Sequence, residues 1–363
     1  MTIDSPRPYE ANAGVIAVHV PAGTDRVRVL ADGRSVRSLP VRRGRRVLVT
    51  EPLGLPSRDL TVRVEAYRGS RLLAARSVGN VFGLPRLALA VAPARRLDPA
   101  LQRVVRSLRA RTGVAASAWL RDLRSGAAAA SNAGARFPSA STLKLGILLA
   151  LLARTRDDPV SAPTWSRLRS MIGSSSNRAA NELLPLAGGA SAVNALMAAA
   201  GATATDLCCP YLLEPDERSL SLRPAGRPRA AIPPVDVTEQ PTFPCCKYTT
   251  AHDLGTVLVS LALATSGHGP LTRNGLSARE ARVAVYLLIH TDYPGLVRPA
   301  VPFVVAHKAG WLPQMQHDAA LVFSPRGTIV TALMTYSPAG VSYPRAAAAT
   351  AAIMRVALAE QRR

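Results

Sequence analysis

RFPSASTLKLGILLALLAR, residues Arg136–Arg154, is the stretch on which the fold turns. Its run from Leu145 to Ala153 has no charged or polar side chain. A surface helix would show a single apolar stripe instead. The run is about half the length of a membrane span, so it reads as a buried helix. At its head stands Lys144, three residues after Ser141. The chain holds 45 Lys+Arg, yet lysine occurs only at Lys144, Lys247 and Lys308. One helical turn puts Ser141 and Lys144 on a shared face. A serine hydroxyl is a poor nucleophile until a base takes its proton, and a desolvated lysine can do so as a neutral amine. Arginine cannot, because its guanidinium keeps its proton near neutral pH. Ser141 is therefore the candidate nucleophile and Lys144 its base.

The 363 residues, 48% of them hydrophobic, suffice for a sizeable core and two domains. No charge-free apolar run approaches the roughly eighteen residues of a membrane span, so no transmembrane segment is expected. The net charge of +22 comes from arginine scattered through every segment, and aromatics make up only 4%. Without a basic run interleaved with aromatics, nucleic acid is not an expected partner. Weak attraction to an anionic cell wall is the remaining reading of the charge. The cysteines form two adjacent pairs, Cys208-Cys209 and Cys245-Cys246. They lack metal-ligand spacing and a nearby histidine, so neither metal nor cofactor is expected. Cross-pairing would close a loop, worth about 4 kcal/mol in the chain-entropy picture. That favours an oxidising, extracytoplasmic compartment, although Met1–Glu10 shows no charged start followed by an apolar core.

Residues 1–95 alternate apolar and polar side chains, as in GVIAVHV and LTVRVEAYRG, with turns at Asp32-Gly33 and Arg68-Gly69. Short strands at this spacing predict a small all-β, immunoglobulin-like domain, a spacer or docking module. From residue 96 the pattern changes. LDPALQRVVRSLRARTG predicts one helix starting at Asp98-Pro99 and ending at Gly113. A strand pair, several helices, three further strands and a closing helix follow. This is an α+β sandwich around one antiparallel sheet, over residues 96–363.

Two more motifs follow Ser141-Thr142-Leu143-Lys144. Ser175-Ser176-Asn177 opens RAANELL, and His307-Lys308-Ala309-Gly310-Trp311 ends the apolar strand VPFVVA. Taken alone, the serine cluster also reads as a helix N-cap. Together, in this order, the three motifs resemble class A β-lactamases and penicillin-binding proteins, whose set is S-x-x-K, S-D-N and K-T-G. The resemblance implies the β-lactamase/transpeptidase fold, with helices on both faces of the antiparallel sheet. It implies that Ser175 relays a proton to the leaving nitrogen and that Asn177 hydrogen-bonds the substrate amide. Lys308 would bind the substrate carboxylate, beside Ala309, and Gly310 would let the strand edge approach the ligand. Backbone N–H groups of Ser141 and Trp311 would form the oxyanion hole. His317 falls near the family's carboxylate-binding arginine.

The departures from the family pattern are specific. Ser176 replaces its aspartate, and Ala309 lacks its hydroxyl. The slot of its deacylating glutamate falls on Tyr211, with Glu214 the nearest substitute. Acylation is thus expected to outrun deacylation. Lys247 receives no role and is read as a surface residue. The expected function is a serine hydrolase forming an acyl-enzyme at Ser141 with a β-lactam or related amide. The alternatives are a cell-wall D-alanyl peptidase or esterase with slow deacylation, and a non-catalytic peptidoglycan-binding protein. A monomer is expected.

Overall fold

Strand Asp59–Arg68 turns Leu60, Val62, Val64 and Ala66 into a core, every second residue, as a strand with one covered face must. This is the period read from LTVRVEAY. The computed structural model describes residues 1–41, 46–49, 53–85, 92, 96–155, 160–211, 221–224, 233, 235–242 and 247–362. Two units emerge: Met1–Leu87 with Arg282–Tyr286, and Ala88–Ala281 with Leu287–Arg363. Sequence reading put the boundary at residue 95.

The first unit holds two sheets. Three strands run in the order Thr2–Ser5, Ile16–His19, Arg46–Val49. Five run in the order Glu10–Asn12, Arg71–Gly83, Asp59–Arg68, Arg26–Ala31, Arg34–Pro40. Ile16 and Val18 of one sheet share a core with Val29, Val64 and Val81 of the other. At the first hairpin Asp32 and Gly33 take φ of 47° and 81°, the left-handed pair that a two-residue turn requires. At the second, Arg68 pairs with Arg71, so Gly69 and Ser70 make the turn, one residue on from the expected pair.

The second unit is built on a six-stranded sheet. Its order is Val304–Leu312, Met315–Ser324, Gly327–Tyr336, Ala115–Asp122, Ala127–Ser131, Arg96–Leu97. The first five are antiparallel and the last adds a short parallel edge. Both faces are covered, so the strands are buried nearly without break. Ala116, Ala118 and Leu120 share one face with Leu101 and Val105, and with Ile353 and Met354 of the closing helix Tyr343–Glu360. Trp119, turned to the other face, meets helix Ala251–Ala264 at Gly255, where a Cβ would lie 2.2 Å from the indole. Any side chain at Gly255 would drive that helix off the sheet.

The helix expected from Asp98 to Gly113 is two helices, Pro99–Arg106 and Leu108–Thr112, parted at Ser107. Its ends are as expected. The Asp98 carboxylate accepts from the N–H groups of Ala100 and Leu101, and Gly113 closes it at φ 72°. Helix Lys144–Thr155 is buried on every side from Lys144 to Leu152. Among the described residues no single helix is long and apolar enough to cross a membrane.

Candidate active site

The segment that carries the candidate nucleophile is held from both ends. Phe137–Pro138 pairs with Tyr248–Thr249, and the Ser139 N–H donates to the Lys247 carbonyl at 3.1 Å. Beyond it the chain tightens. The Thr142 N–H and hydroxyl both donate to the Ser139 carbonyl, and the Lys144 N–H donates to that of Ser141. Ala140 takes φ 45°, a left-handed conformation that costs a residue with a Cβ roughly 1 kcal/mol or more. Such strain collects where geometry matters more than stability. Ser141 stays partly exposed while Lys144 is fully buried, so substrate can reach the hydroxyl but water is kept from the amine.

Lys144 Nζ lies 2.9 Å from Ser141 Oγ. It also donates to the Ser175 carbonyl at 2.5 Å and to Asn177 Oδ1 at 2.7 Å. Those two oxygens only accept, so they occupy both N–H groups of a neutral amine and leave its lone pair for the Ser141 hydroxyl. Burial, with the charges of Lys308 and Lys247 behind it, lowers the Lys144 pKa from 10.5 to about 7. Near neutral pH a large share of Lys144 is thus the free base.

The second motif serves both readings at once. Ser176 caps helix Asn177–Leu186, its hydroxyl accepting from the Ala179 N–H at 3.2 Å. Ser175, at φ 61°, turns away from the cap. Its hydroxyl lies 3.0 Å from Lys308 Nζ and 3.3 Å from Lys144 Nζ, bridging the two amines. Lys308, on the sheet's edge strand, also donates to the Ala309 carbonyl at 2.9 Å. Burial lowers its pKa to about 7 against the opposing pull of Asp318. Asp318 and His307 form a buried pair at 2.8 Å beneath the strand. Against burial, His307 and the N–H groups of Val297 and Leu296 hold the Asp318 carboxyl below its ordinary range.

Gly310 has a reason beyond ligand approach. A Cβ there would come within 2.9 Å of the Ser141 nitrogen and 3.0 Å of the Thr142 nitrogen. Only glycine lets the strand edge lie this close to the backbone of Ser141 and Thr142. Trp311, next along, stacks on Tyr293 with ring centroids 4.0 Å apart. Ala309 is buried and sits opposite Asp318 in the strand register.

His317 is placed differently from the expectation. It lies opposite Gly310 in the register but is 1% exposed. Burial drops its pKa to about 4, so the ring is neutral at pH 7. Nε2 donates to the Pro138 carbonyl at 2.9 Å, and Nδ1 accepts from the Thr335 N–H at 3.3 Å. A neutral ring with both nitrogens engaged offers no charge to a carboxylate. It holds the strand that leads to Ser141.

Lys247 is not a surface residue. It is 9% exposed, and its Nζ donates to the Pro210 carbonyl at 2.6 Å. The amines of Lys144 and Lys247 both lie over the Tyr211 ring, 4.7 and 4.9 Å from its centroid. Asn181 clamps Tyr211 by its backbone, donating to its carbonyl at 2.7 Å and accepting its N–H at 2.6 Å. Sequence reasoning put Tyr211 in the glutamate's slot and missed Lys247 altogether. The rarity of lysine, already applied to Lys144 and Lys308, was the clue that pointed to it. Glu214, Cys245 and Cys246 lie outside the described residues. Cys208 Sγ and Cys209 Sγ are 3.5 Å apart, beyond the ~2.05 Å of a bond. Among the described residues no group of three or more His, Cys, Asp or Glu could hold a metal ion.

Comparison with known proteins places this arrangement. The family described as the Beta-lactamase enzyme family matches residues 96–164 and 153–361. The structure of PBP-A is similar with a TM-score of 0.57 at 20% identity, over 75% of this chain and 98% of that one. A mutant of PBP-A, solved as its acyl-enzyme complex with penicillin G, reaches 0.56 at 21% identity, over 74% and 98%. A class A β-lactamase from Mycobacterium abscessus reaches 0.54 at 20% identity, over 70% and 98%. At such identities the likeness of structures speaks for the fold alone. No curated protein matches the chain. The family match, on a sheet that sets serine, lysine and glycine motifs around one hydroxyl, identifies the chain as a member of the beta-lactamase enzyme family, a β-lactamase-like serine hydrolase.

Proposed function

We propose that the chain forms an acyl-enzyme at Ser141 with a β-lactam or a related D-alanyl amide or ester of the cell wall. One observation carries this reading: a buried amine with both N–H groups engaged, its lone pair 2.9 Å from a reachable serine hydroxyl. Lys144 takes the hydroxyl proton as Ser141 Oγ bonds to the carbonyl carbon. The oxyanion is met by the N–H groups of Ser141 and Trp311. Collapse breaks the C–N bond, and the leaving nitrogen takes its proton through Ser175, which bridges the two lysines. Asn177 and the Ala309–Gly310 edge seat the substrate, with Lys308 as the cation for a substrate carboxylate. Water then cleaves the ester.

That last step is the slow one. The Tyr211 ring lies against Lys144, and a phenol near neutral pH is a poor base for activating water. This favours a cell-wall peptidase or esterase held for long periods by penicillin over an efficient lactamase. A PBP-A mutant of similar fold has been solved as an acyl-enzyme with penicillin G, which makes that compound the first probe to try. Mixing with benzylpenicillin should give a stoichiometric burst, then near silence, with one adduct retained in intact-mass spectra. Steady turnover on the order of ten per second, lost in Glu214→Gln, would make Glu214 the deacylating base instead. Absence of any adduct would leave a peptidoglycan-binding protein.

The reading includes an extracytoplasmic site of action, and an N-terminal β unit, immunoglobulin-like in kind, that docks or spaces a monomeric catalytic unit. We further propose that Cys208 or Cys209 is bridged to Cys245 or Cys246. Its support is that the adjacent sulfurs of Cys208 and Cys209, 3.5 Å apart, are too far from each other to bond, which leaves the second pair as the partner. Digestion without reductant should release a peptide joining the two pairs. Four free thiols in protein made under oxidising conditions would remove the staple and the argument for export.

A further inference from the structure

Lys247 is buried within a segment that three interactions tie to the active site. Its carbonyl accepts the Ser139 N–H two residues before Ser141, its Nζ donates to the Pro210 carbonyl, and it lies over the Tyr211 ring that Lys144 also faces. Its amine also stands 3.5 Å from Cys209 Sγ. We propose that Lys247 is a positioning residue for acylation, fixing Tyr211 beside Lys144 and setting a second positive charge next to the base. The proposal rests on the reading of Lys144 as the base that activates Ser141.

The geometry limits the separation. With both amines over one ring, at 4.7 and 4.9 Å from its centre, their nitrogens lie within about 10 Å of each other. Buried charges at that distance interact with little screening. The charged groups facing Lys144 are Lys308, on the edge strand, and Lys247, ahead of strand Tyr248–Thr249. Among the described residues, Ser175, Asn177 and Tyr211 also face it. A like charge disfavours protonation, so Lys247 acts in the same direction as burial, toward the free amine. Removing that charge should raise the Lys144 midpoint and move the acid limb of acylation to higher pH. The Tyr211 ring offers both amines a π surface, which lets them share a buried site.

The chain's three lysines make the test direct. With lysine labelled at 13Cε, the protein should give three resonances, assigned by loss of one signal in Lys247→Gln and of another in Lys144→Arg. The Lys144 resonance should titrate near pH 7 in the unaltered protein. In Lys247→Gln, whose amide can still donate to the Pro210 carbonyl, its midpoint should rise by about half a pH unit or more. In Lys247→Arg, which keeps the charge, it should stay within about 0.2 units. Should the glutamine variant fail to fold, Lys247→Met keeps the aliphatic stem and should show the same rise. A Lys144 midpoint unmoved in a folded Gln or Met variant overturns the proposal, and so does an equal rise in Lys247→Arg. Because the readout needs no turnover, an unmoved midpoint is distinguishable from a failure of acylation. Failure of acylation would sink the proposed function, while an unmoved midpoint would sink only the role of Lys247.

Discussion

Lys144→Arg should lose about a hundredfold or more in the rate of acylation by a chromogenic β-lactam, nearly as much as Lys144→Ala. Both wild type and the arginine variant can present a cation, so a role in charge alone would spare much of the activity. A role as base would not, because the guanidinium does not release its proton in the working range. The pH dependence follows from the same chemistry. With a pKa near 7, Lys144 is protonated below neutrality and cannot accept the Ser141 proton. The wild-type acylation rate should therefore fall as pH drops through 7, and fall again above 7 as Lys308 loses the charge that meets the substrate carboxylate, giving a bell-shaped profile.

Stability supplies a control with its own sign. The native pKa of about 7 lies below the ordinary 10.5, so the folded state resists protonation of Lys144. The penalty is complete below pH 7 and is relieved as pH rises from 7 toward 10.5. Lys144→Ala removes the buried charge and should lose little stability at pH 7, whereas arginine keeps a cation that cannot shed its proton and should melt lower. An arginine variant that keeps most of the acylation rate would end the case for Lys144 as base.

Ser141→Ala should abolish the covalent adduct altogether, reducing labelling at least about a thousandfold, the scale of losing a nucleophile. Two hydroxyls stand near Lys144, and the geometry separates their tasks. Ser141 Oγ is closer, at 2.9 Å against 3.3 Å, and lies at the head of the buried helix. Ser175 Oγ is held between two amines, suited to passing a proton rather than attacking. Peptide mapping after reaction with a fluorescent penicillin should place the adduct on Ser141 alone. An adduct on Ser175, or labelling that survives in the folded Ser141→Ala protein, would reverse the two roles.

Where the sequence was legible, the information was local. The apolar run after Lys144 could only be a buried helix, and three residues of separation were enough to bring Lys144 to Ser141. Strand periods in residues 1–83 and the caps at Asp98 and Ser176 were readable for the same reason, since each depends on neighbours within a turn or a hairpin. Even the break at Ser107 is a local departure that no motif marked.

What stayed hidden is set by distance through space. His317 has a suitable position in the sequence for an anion-binding residue, but its burial on strand Met315–Ser324, between the Pro138 carbonyl and the Thr335 N–H, takes its charge and engages both nitrogens. Lys247 is 103 residues from Lys144, and nothing in its neighbours announces that Tyr211 will bring the two amines over one ring. Gly310 reads as permissive in a strand motif, yet the need for it is the Ser141 nitrogen 2.9 Å from where its Cβ would stand. The sequence by itself determined the residue types, their order and the elements that carry them, because hydrogen-bonding periods and side-chain pKa chemistry are properties of short segments. Only the tertiary structure decided which amines share an environment and which ring stays neutral, because burial and charge proximity arise when distant segments pack together.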